Sequence, residues 1–336
     1  MMESRNATMQ AVVVPQTGGP EVLELRDVPA PKPGEGEVSI HVAYAGVNYS
    51  EVMARRGDYR AADLPFVPGL EVSGHIAAVG PGVTEFEAGQ AVAATMTIGG
   101  YAEVAVAKVP MVVAVPDAVD LQVAAGFPTI TPTAYALLVD VARLRQGETV
   151  LVHAAAGGMG TVAGQIARYL GAGRVIGTVG SADKIPYAQR FGYELVVERQ
   201  GFADAVRRET GGRGVDVVLD SVGGAVLTES LAVLAPLGRA VAFGNSSRSP
   251  AVGVESLVLW LQNAALMGYS IGTLSGSAPE VVTRQTRAAL ALVADGHVRI
   301  DVTEVFPLGQ APEAHRRLEG RRTTGKLLLS VNGSLR

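Results

Sequence analysis

From Met9 to Ala125 the apolar residues come in short runs cut by proline or glycine. Met9–Val14 and Val22–Leu25 read as strands, with the turn Gln16–Pro20 between them. Pro29, Pro31 and Pro33 predict an extended connection. Val38–Val47, Glu71–Val79, Ala91–Ala94 and Tyr101–Val106 are further strands, and Asn48–Arg56 starts a helix that Gly57 stops. The pattern changes near Leu121. A helical stretch over Thr133–Leu144 is followed by strands at 150–153, 174–178, 195–197, 215–220 and 239–243. Helices predicted at 160–170, 182–191, 202–210, 227–234 and 254–266 alternate with them, and Met267–Ile271 is a candidate last strand. Such alternation predicts a parallel sheet with helices on both faces. Glu280–Asp295 is an amphipathic helix, Thr303–Phe306 a short strand, Ala311–Glu319 a helix and Lys326–Val331 a strand. The expected organisation is a mainly β domain at 9–125, a doubly wound α/β domain at 126–273, and a return to the first domain at 274–336. The cleft between two such domains is the expected active site.

The chemistry concentrates at Thr149–Leu170. A buried strand breaks on Gly157, Gly158 and Gly160 into a helix whose apolar face carries Val162, Ala163, Ile166, Ala167 and Leu170. A helix start with free N–H groups suits a pyrophosphate. The dinucleotide fingerprint G-x-G-x-x-G has Ala155 in place of its first glycine. In a Rossmann unit an acid after the second strand binds the ribose of NAD. After Arg174–Thr178 the chain reads Val179-Gly180-Ser181, with Lys184 beyond and Arg199 after the third strand. These donors suit a 2′-phosphate, so NADP(H) is preferred; Asp183 keeps NAD in play.

Composition removes other classes. The chain has 336 residues, enough for about two domains, is 48% hydrophobic and carries a net charge of −4, which gives no sign of nucleic-acid binding. No apolar run reaches the roughly 18 residues of a membrane span. With no cysteine there is no thiol nucleophile, disulfide or cysteine-held zinc, and a cytoplasmic location is expected. Residues 1–8 are polar and are expected to form a disordered leader. His41, His75, His153, His297 and His315 never stand at metal-ligand spacing, so no metal site is expected.

In this context the segment His153–Gly160 (HAAAGGMG) resembles the zinc-free quinone oxidoreductase branch of the medium-chain dehydrogenase/reductase superfamily, the ζ-crystallin-like proteins. Gly46-Val47-Asn48-Tyr49, Pro65–Glu71 (PFVPGLE), Gly177–Lys184, Asp220–Gly223, Phe243–Ser247 and Thr324-Gly325-Lys326 carry the same resemblance over nearly the whole of 9–331. It implies a Rossmann domain plus a GroES-like catalytic domain, and NADPH-dependent reduction of a quinone or an activated C=C bond by a homodimer. It further implies that the turn Ala156–Gly160, with Gly157, Gly158, Met159 and Gly160, faces the pyrophosphate. Gly180, Ser181 and Lys184 would hold the 2′-phosphate, with Arg199 where relatives often have tyrosine. Phe243, Gly244 and Asn245 would lie along the nicotinamide, Thr133 near its ring, and Lys326 would hold the cofactor from the tail. Asn48 and Tyr59 would line the substrate pocket, with Tyr44 and Tyr49 as competitors for the proton-donor role. Zinc-dependent relatives have cysteine at Asn48 and histidine at Leu70, so a catalytic zinc is not expected. Glu71 is read as a brace; for Asn48 a helix cap is the alternative, and the motif favours the pocket role. An enoyl-thioester reductase and a non-catalytic NADPH-binding protein are the rival functions. The candidate dimer strand is Met267–Ile271.

Overall fold

A computed structural model describes residues 8–58 and 63–331. The chain divides into two compact units. One draws on the chain up to Thr129, on Gly272–Leu290 and on the chain from Ile300; the other comprises Ile130–Ile271 and Ala291–Arg299.

The first unit is β-rich. Strands β1 (Thr8–Val13) and β2 (Glu24–Pro29) form an antiparallel pair. The predicted strand at Val22 is instead a 3-10 turn over Pro20–Val22, and the strand runs on to Pro29. β3 (Glu37–Val47) is the hub of the main sheet: it pairs with β4 (Glu71–Val79) and also with β6 (Val104–Lys108). β5 (Ala91–Thr95) and β7 (Val112–Ala114) extend the sheet beyond β4. Helix α1 (Tyr49–Arg56) leaves the end of β3 directly. The Glu51 carboxylate accepts from the backbone N–H of Asn48 at its start, and Gly57 closes it with φ 78°. α2 (Leu121–Ala125) is capped by Asp120, whose Oδ1 accepts from Gln122 N at 2.6 Å.

The second unit opens with α3 (Ile130–Ala136), which continues as a π-helical turn over Leu137–Val141. Six parallel strands follow: β8 (Thr149–Val152), β9 (Arg174–Val179), β10 (Leu195–Glu198), β11 (Val215–Asp220), β12 (Leu234–Ala242) and β13 (Ala265–Gly268). Their order is β10-β9-β8-β11-β12-β13. Helices α4 (Gly158–Tyr169), α5 (Ile185–Gln189), α6 (Phe202–Glu209), α7 (Ala225–Leu231) and α8 (Ser256–Gln262) connect them. Central strands covered on both faces are mostly apolar, and all of β8 and β11 are buried, including Asp216 and Asp220 of β11. The last strand lies earlier than predicted. Asn263, in the left-handed region at φ 51°, ends α8 and frees Ala265–Gly268 to pair with β12. Ile271 then begins α9 (Ile271–Ser277), and α10 (Pro279–Ala294) follows.

The tail adds β14 (Val302–Pro307), α11 (Ala311–Glu319) and β15 (Lys326–Ser330). β15 pairs antiparallel with β3, Leu327 opposite Val47, so the last strand of the chain is built into the hub sheet. A single apolar core joins them, running through Val38, Ile40, Val72, Ile76, Leu327 and Leu329.

Candidate active site

The glycine turn is set by packing. Strand order reverses between β8 and β11, where β8 is followed by β9 on one side and β11 leads to β12 on the other. Ligands of open α/β sheets sit beyond strand ends at such a point. Ala154 takes a positive φ of 56°, and Ala155 N donates to Thr178 O at 2.8 Å, tying the turn to β9. Ala155 is fully buried, and a Cβ added to Gly177 would lie 2.7 Å from its own. The alanine therefore replaces the first glycine of the fingerprint because the left-handed step is taken one residue earlier. Gly160 has no such freedom: a Cβ there would meet Ala154 O at 2.3 Å and Ala155 Cα at 2.6 Å. α4 begins after Gly157, so Gly158, Met159 and Gly160 hold the N–H groups of its first turn, with Ala156 and Gly157 on the approach. An anion fits here by donor set and by dipole.

The second corner lies at the ends of β9 and β10. Arg199 N donates to Val179 O at 2.8 Å, which brings the end of β10 beside Gly180 and Ser181. Around Gly180 there is open space. Lys184 follows in a 3-10 turn; partial burial lowers its pKa, offset by the neighbouring Asp183. No acid stands directly after β9, so the corner combines Ser181 with two cations.

On the far side of the reversal, Phe243 N donates to Asp220 O at 2.9 Å and Ser246 N to Ser221 O at 3.0 Å. Phe243, Gly244 and Asn245 thus run along the end of β11. Asn245 is held in turn: its Nδ2 donates to Ser249 O at 2.7 Å, and its Oδ1 accepts from Ser247 Oγ at 2.9 Å. Asp220 Oδ1 accepts from Val222 N and Gly223 N, while its buried Oδ2 has no hydrogen-bond partner; burial raises its pKa. Thr133 on α3 is buried, and its Oγ1 is likewise without a partner. His153 is packed, as expected, but it is the first residue of the turn after β8 rather than a strand residue. Ser230 Oγ donates to Val226 O, so it must accept from His153 Nε2, and Nδ1 then accepts from Thr178 Oγ1.

In the β-rich unit the sequence motifs converge on a buried charge cluster. Lys326 Nζ lies 2.5 Å from Glu71 Oε1, 2.5 Å from Asn48 Oδ1 and 3.3 Å from Val47 O. Asn48 Nδ2 donates to Glu71 Oε1 at 2.8 Å and to Glu51 Oε1 at 3.3 Å. Glu71 Oε2 accepts from Thr129 N at 2.7 Å. Glu71 is the brace expected of it. Both amide hydrogens of Asn48 thus lie on carboxylates, and the Lys326 ammonium has an acceptor for each of its three protons. Glu51 is the residue the sequence reading missed; its Oε1 also accepts from Leu70 N at 3.1 Å. The N-x-x-E spacing of a capping box was its signal. Burial, with the charge of Glu71, pushes the Glu51 carboxyl up to about 7, against the pull of Lys326. Tyr59 lies outside the described residues.

A glycine cradle at a strand-order reversal, on a chain that also carries a β-rich unit, defines a dinucleotide-dependent dehydrogenase or reductase. The alcohol dehydrogenase GroES-like domain family matches residues 34–117, and the zinc-binding dehydrogenase family matches 191–329. A quinone oxidoreductase of Pseudomonas aeruginosa is 37% identical over 315 residues, covering 93% of this chain and 96% of that protein. A 2-haloacrylate reductase of Burkholderia is 33% identical, covering 96% and 98%. The crystal structure of Escherichia coli quinone oxidoreductase complexed with NADPH superposes with a TM-score of 0.88 at 33% identity, covering 96% and 100%. The chain belongs to the quinone oxidoreductase branch of the medium-chain dehydrogenase/reductase superfamily.

Proposed function

We propose that the protein reduces quinones or α,β-unsaturated carbonyl compounds with NADPH, without a catalytic zinc. The observation that carries the cofactor choice is the corner at Gly180, Ser181, Lys184 and Arg199, which offers a hydroxyl and two cations where an NAD-selective site needs a carboxylate. The names of the relatives and the NADPH complex of the E. coli enzyme support the same reading.

Bound NADPH supplies the hydride. The turn at Ala156–Gly160 would hold its pyrophosphate, and Phe243, Gly244 and Asn245 would fix the nicotinamide end. The Thr133 hydroxyl, buried and without a partner, would serve as a donor to the ring or the acceptor. Catalytic zinc does not fit the donor set: an ammonium already sits on Asn48 Oδ1 and Glu71 Oε1, and a divalent ion there would face it directly. Without a Lewis acid a simple ketone is a poor substrate. A quinone or enone needs less help, because conjugation carries the developing charge to an oxygen that water or a hydroxyl can stabilise. Water or Tyr59 then supplies the proton. Asn48 and Lys326 act as positioning residues.

The protein would work in the cytoplasm as a homodimer joined along β13, a sheet-edge strand that pairs with β12 alone among the described residues. Beside this edge α8 exposes Leu257, Trp260 and Leu261, with Trp260 74% accessible. A Trp260→Arg variant should sediment as a monomer; an unchanged dimer would refute this interface.

The activity is tested by stopped-flow mixing of enzyme and NADPH with a panel of quinones, free enones and enoyl-CoA thioesters. Loss of NADPH absorbance with the first two groups is expected. No loss with any acceptor refutes the proposal, and faster turnover of thioesters than of free enones would replace it with an enoyl-thioester reductase.

A further inference from the structure

A cavity of about 440 Å³ opens on the β-rich unit, with His41, Tyr44, His75, Asp120 and Leu121 in its wall. The two histidines are 34 residues apart in sequence, but β3 and β4 place them directly opposite each other, His41 against His75. Opposite residues of an antiparallel pair project from the same face, with Cβ atoms about 4.5–5.5 Å apart. Both imidazoles are exposed, while Ile40, Val42 and Ile76 beside them are buried on the other face. The pairing is pinned on both sides. The register shifts between Ser39 and Ile40 and again between Val42 and Tyr44, so the histidines lie in a short window between two irregularities. The strands also approach closely there: a Cβ on Gly74 would stand 2.0 Å from the His41 carbonyl oxygen.

We propose that His41 and His75 form a two-histidine site for a divalent late transition-metal ion on the outer face of the β3–β4 ladder. A metal–imidazole bond is about 2.0–2.1 Å long, so one ion can bridge two ring nitrogens borne on neighbouring Cβ atoms. Imidazole ligands favour copper, nickel and zinc, and Cu²⁺ binds most tightly of the three. Among the described residues no three histidine or acidic side chains converge on one point, so water completes the coordination. Asp120, whose Oδ1 caps α2, adds negative charge to the wall. The site is separate from the Asn48 and Leu70 positions at which zinc-dependent relatives carry ligands. It has a structural consequence: β3 ends next to Asn48 and β4 begins at Glu71, so a bound ion would clip together the two strands that carry the buried charge cluster.

The test uses tag-free, full-length protein titrated with CuCl₂ and followed by electron paramagnetic resonance and thermal melting. One equivalent should bind with a signal split by two imidazole nitrogens, and should raise the Tm. His41→Ala and His75→Ala should each weaken binding by at least about tenfold, of the order lost when metal-site residues are removed. The double variant should lose the metal-dependent rise in Tm. Both side chains are exposed, so circular dichroism and NADPH oxidation should stay at wild-type values and separate loss of metal from loss of fold. No binding by the wild type, or an unchanged signal and affinity in the double variant, overturns the proposal.

Discussion

Replacing Lys326 with methionine keeps the length and apolar stem of the side chain and deletes the charge at the centre of the buried cluster. Its ammonium is the only cation in contact with Glu71 among the described residues, and both side chains are almost wholly inaccessible, at 3% and 0%. Breaking a buried ion pair from one side leaves the other charge without compensation and costs about 3–5 kcal/mol. The cost falls toward the upper end here because Glu51, a second buried carboxylate, contacts the same Asn48 amide. Native stability is about 5–15 kcal/mol, so a large part of the β-rich unit's margin would go. With a urea slope of about 1–3 kcal/mol per molar, the midpoint of that unit's transition should drop by about 1–5 M. The control is Lys326→Met combined with Glu71→Gln, which removes both charges and keeps the amide's acceptor and donor. The double variant should be more stable than the sum of the single losses by about 1–3 kcal/mol. Urea melts followed by circular dichroism read all four proteins. Strictly additive losses, or a single-variant loss below about 1 kcal/mol, would refute the view of Lys326 and Glu71 as a coupled buried pair.

Gly160→Ala should weaken NADPH binding and lower stability by about 1–3 kcal/mol, because backbone must yield to the new Cβ, whereas Gly157→Ala, whose Cβ would be 3.4 Å from its nearest neighbour, should fold normally; fluorescence titration and thermal melts compare them. Lys184→Ala should raise the KM for NADPH about tenfold, equal to one modest charge-assisted contact, and leave NADH nearly unaffected; equal losses for both cofactors would remove Lys184 from the 2′-phosphate corner. Burial, with Arg199 and Arg55 respectively, pushes His153 and His315 down to about 3, so the unfolded chain takes up protons first and stability should fall as pH drops from about 6.5 toward 3. His315→Gln should flatten that limb in pH-dependent urea melts. Glu51 acts in the opposite sense: its raised pKa means stability is lost as pH rises from about 4.5 to 7, and Glu51→Gln should remove this loss.

The parallel sheet was legible because strands buried on both faces cannot alternate. Val217, Val218 and Leu219 form an unbroken apolar run that only a covered strand explains. The glycine turn was legible for the same reason that Gly160 cannot be replaced, which is backbone crowding. The end of α8 was missed although Asn263 is a residue type that suits a left-handed helix end, because the apolar run Ala264–Met267 beyond it reads as the helix continuing. The contacts of Asn48 also escaped the sequence. The polar partners that consume its amide hydrogens are chosen by tertiary packing, and Lys326 stands 278 residues away from it. The His41–His75 pair was hidden because it depends on strand register, which two irregularities shift by residues that no local pattern reveals.

The hub strand β3 has a consequence for synthesis. Its partner β15 and the ammonium that neutralises Glu71 are made 278 residues after Asn48, with the whole six-stranded sheet in between. At roughly 5–20 residues per second, that interval is about 14–56 s. For most of it the nascent chain carries two acidic side chains without their cation and a strand with one edge open, and by its end the nucleotide-binding sheet has all six of its strands. Ribosome-bound chains halted before Lys326 should therefore show a protease-resistant second unit attached to a β-rich unit that is still cleaved, and release of the last strand should be the event that closes the first.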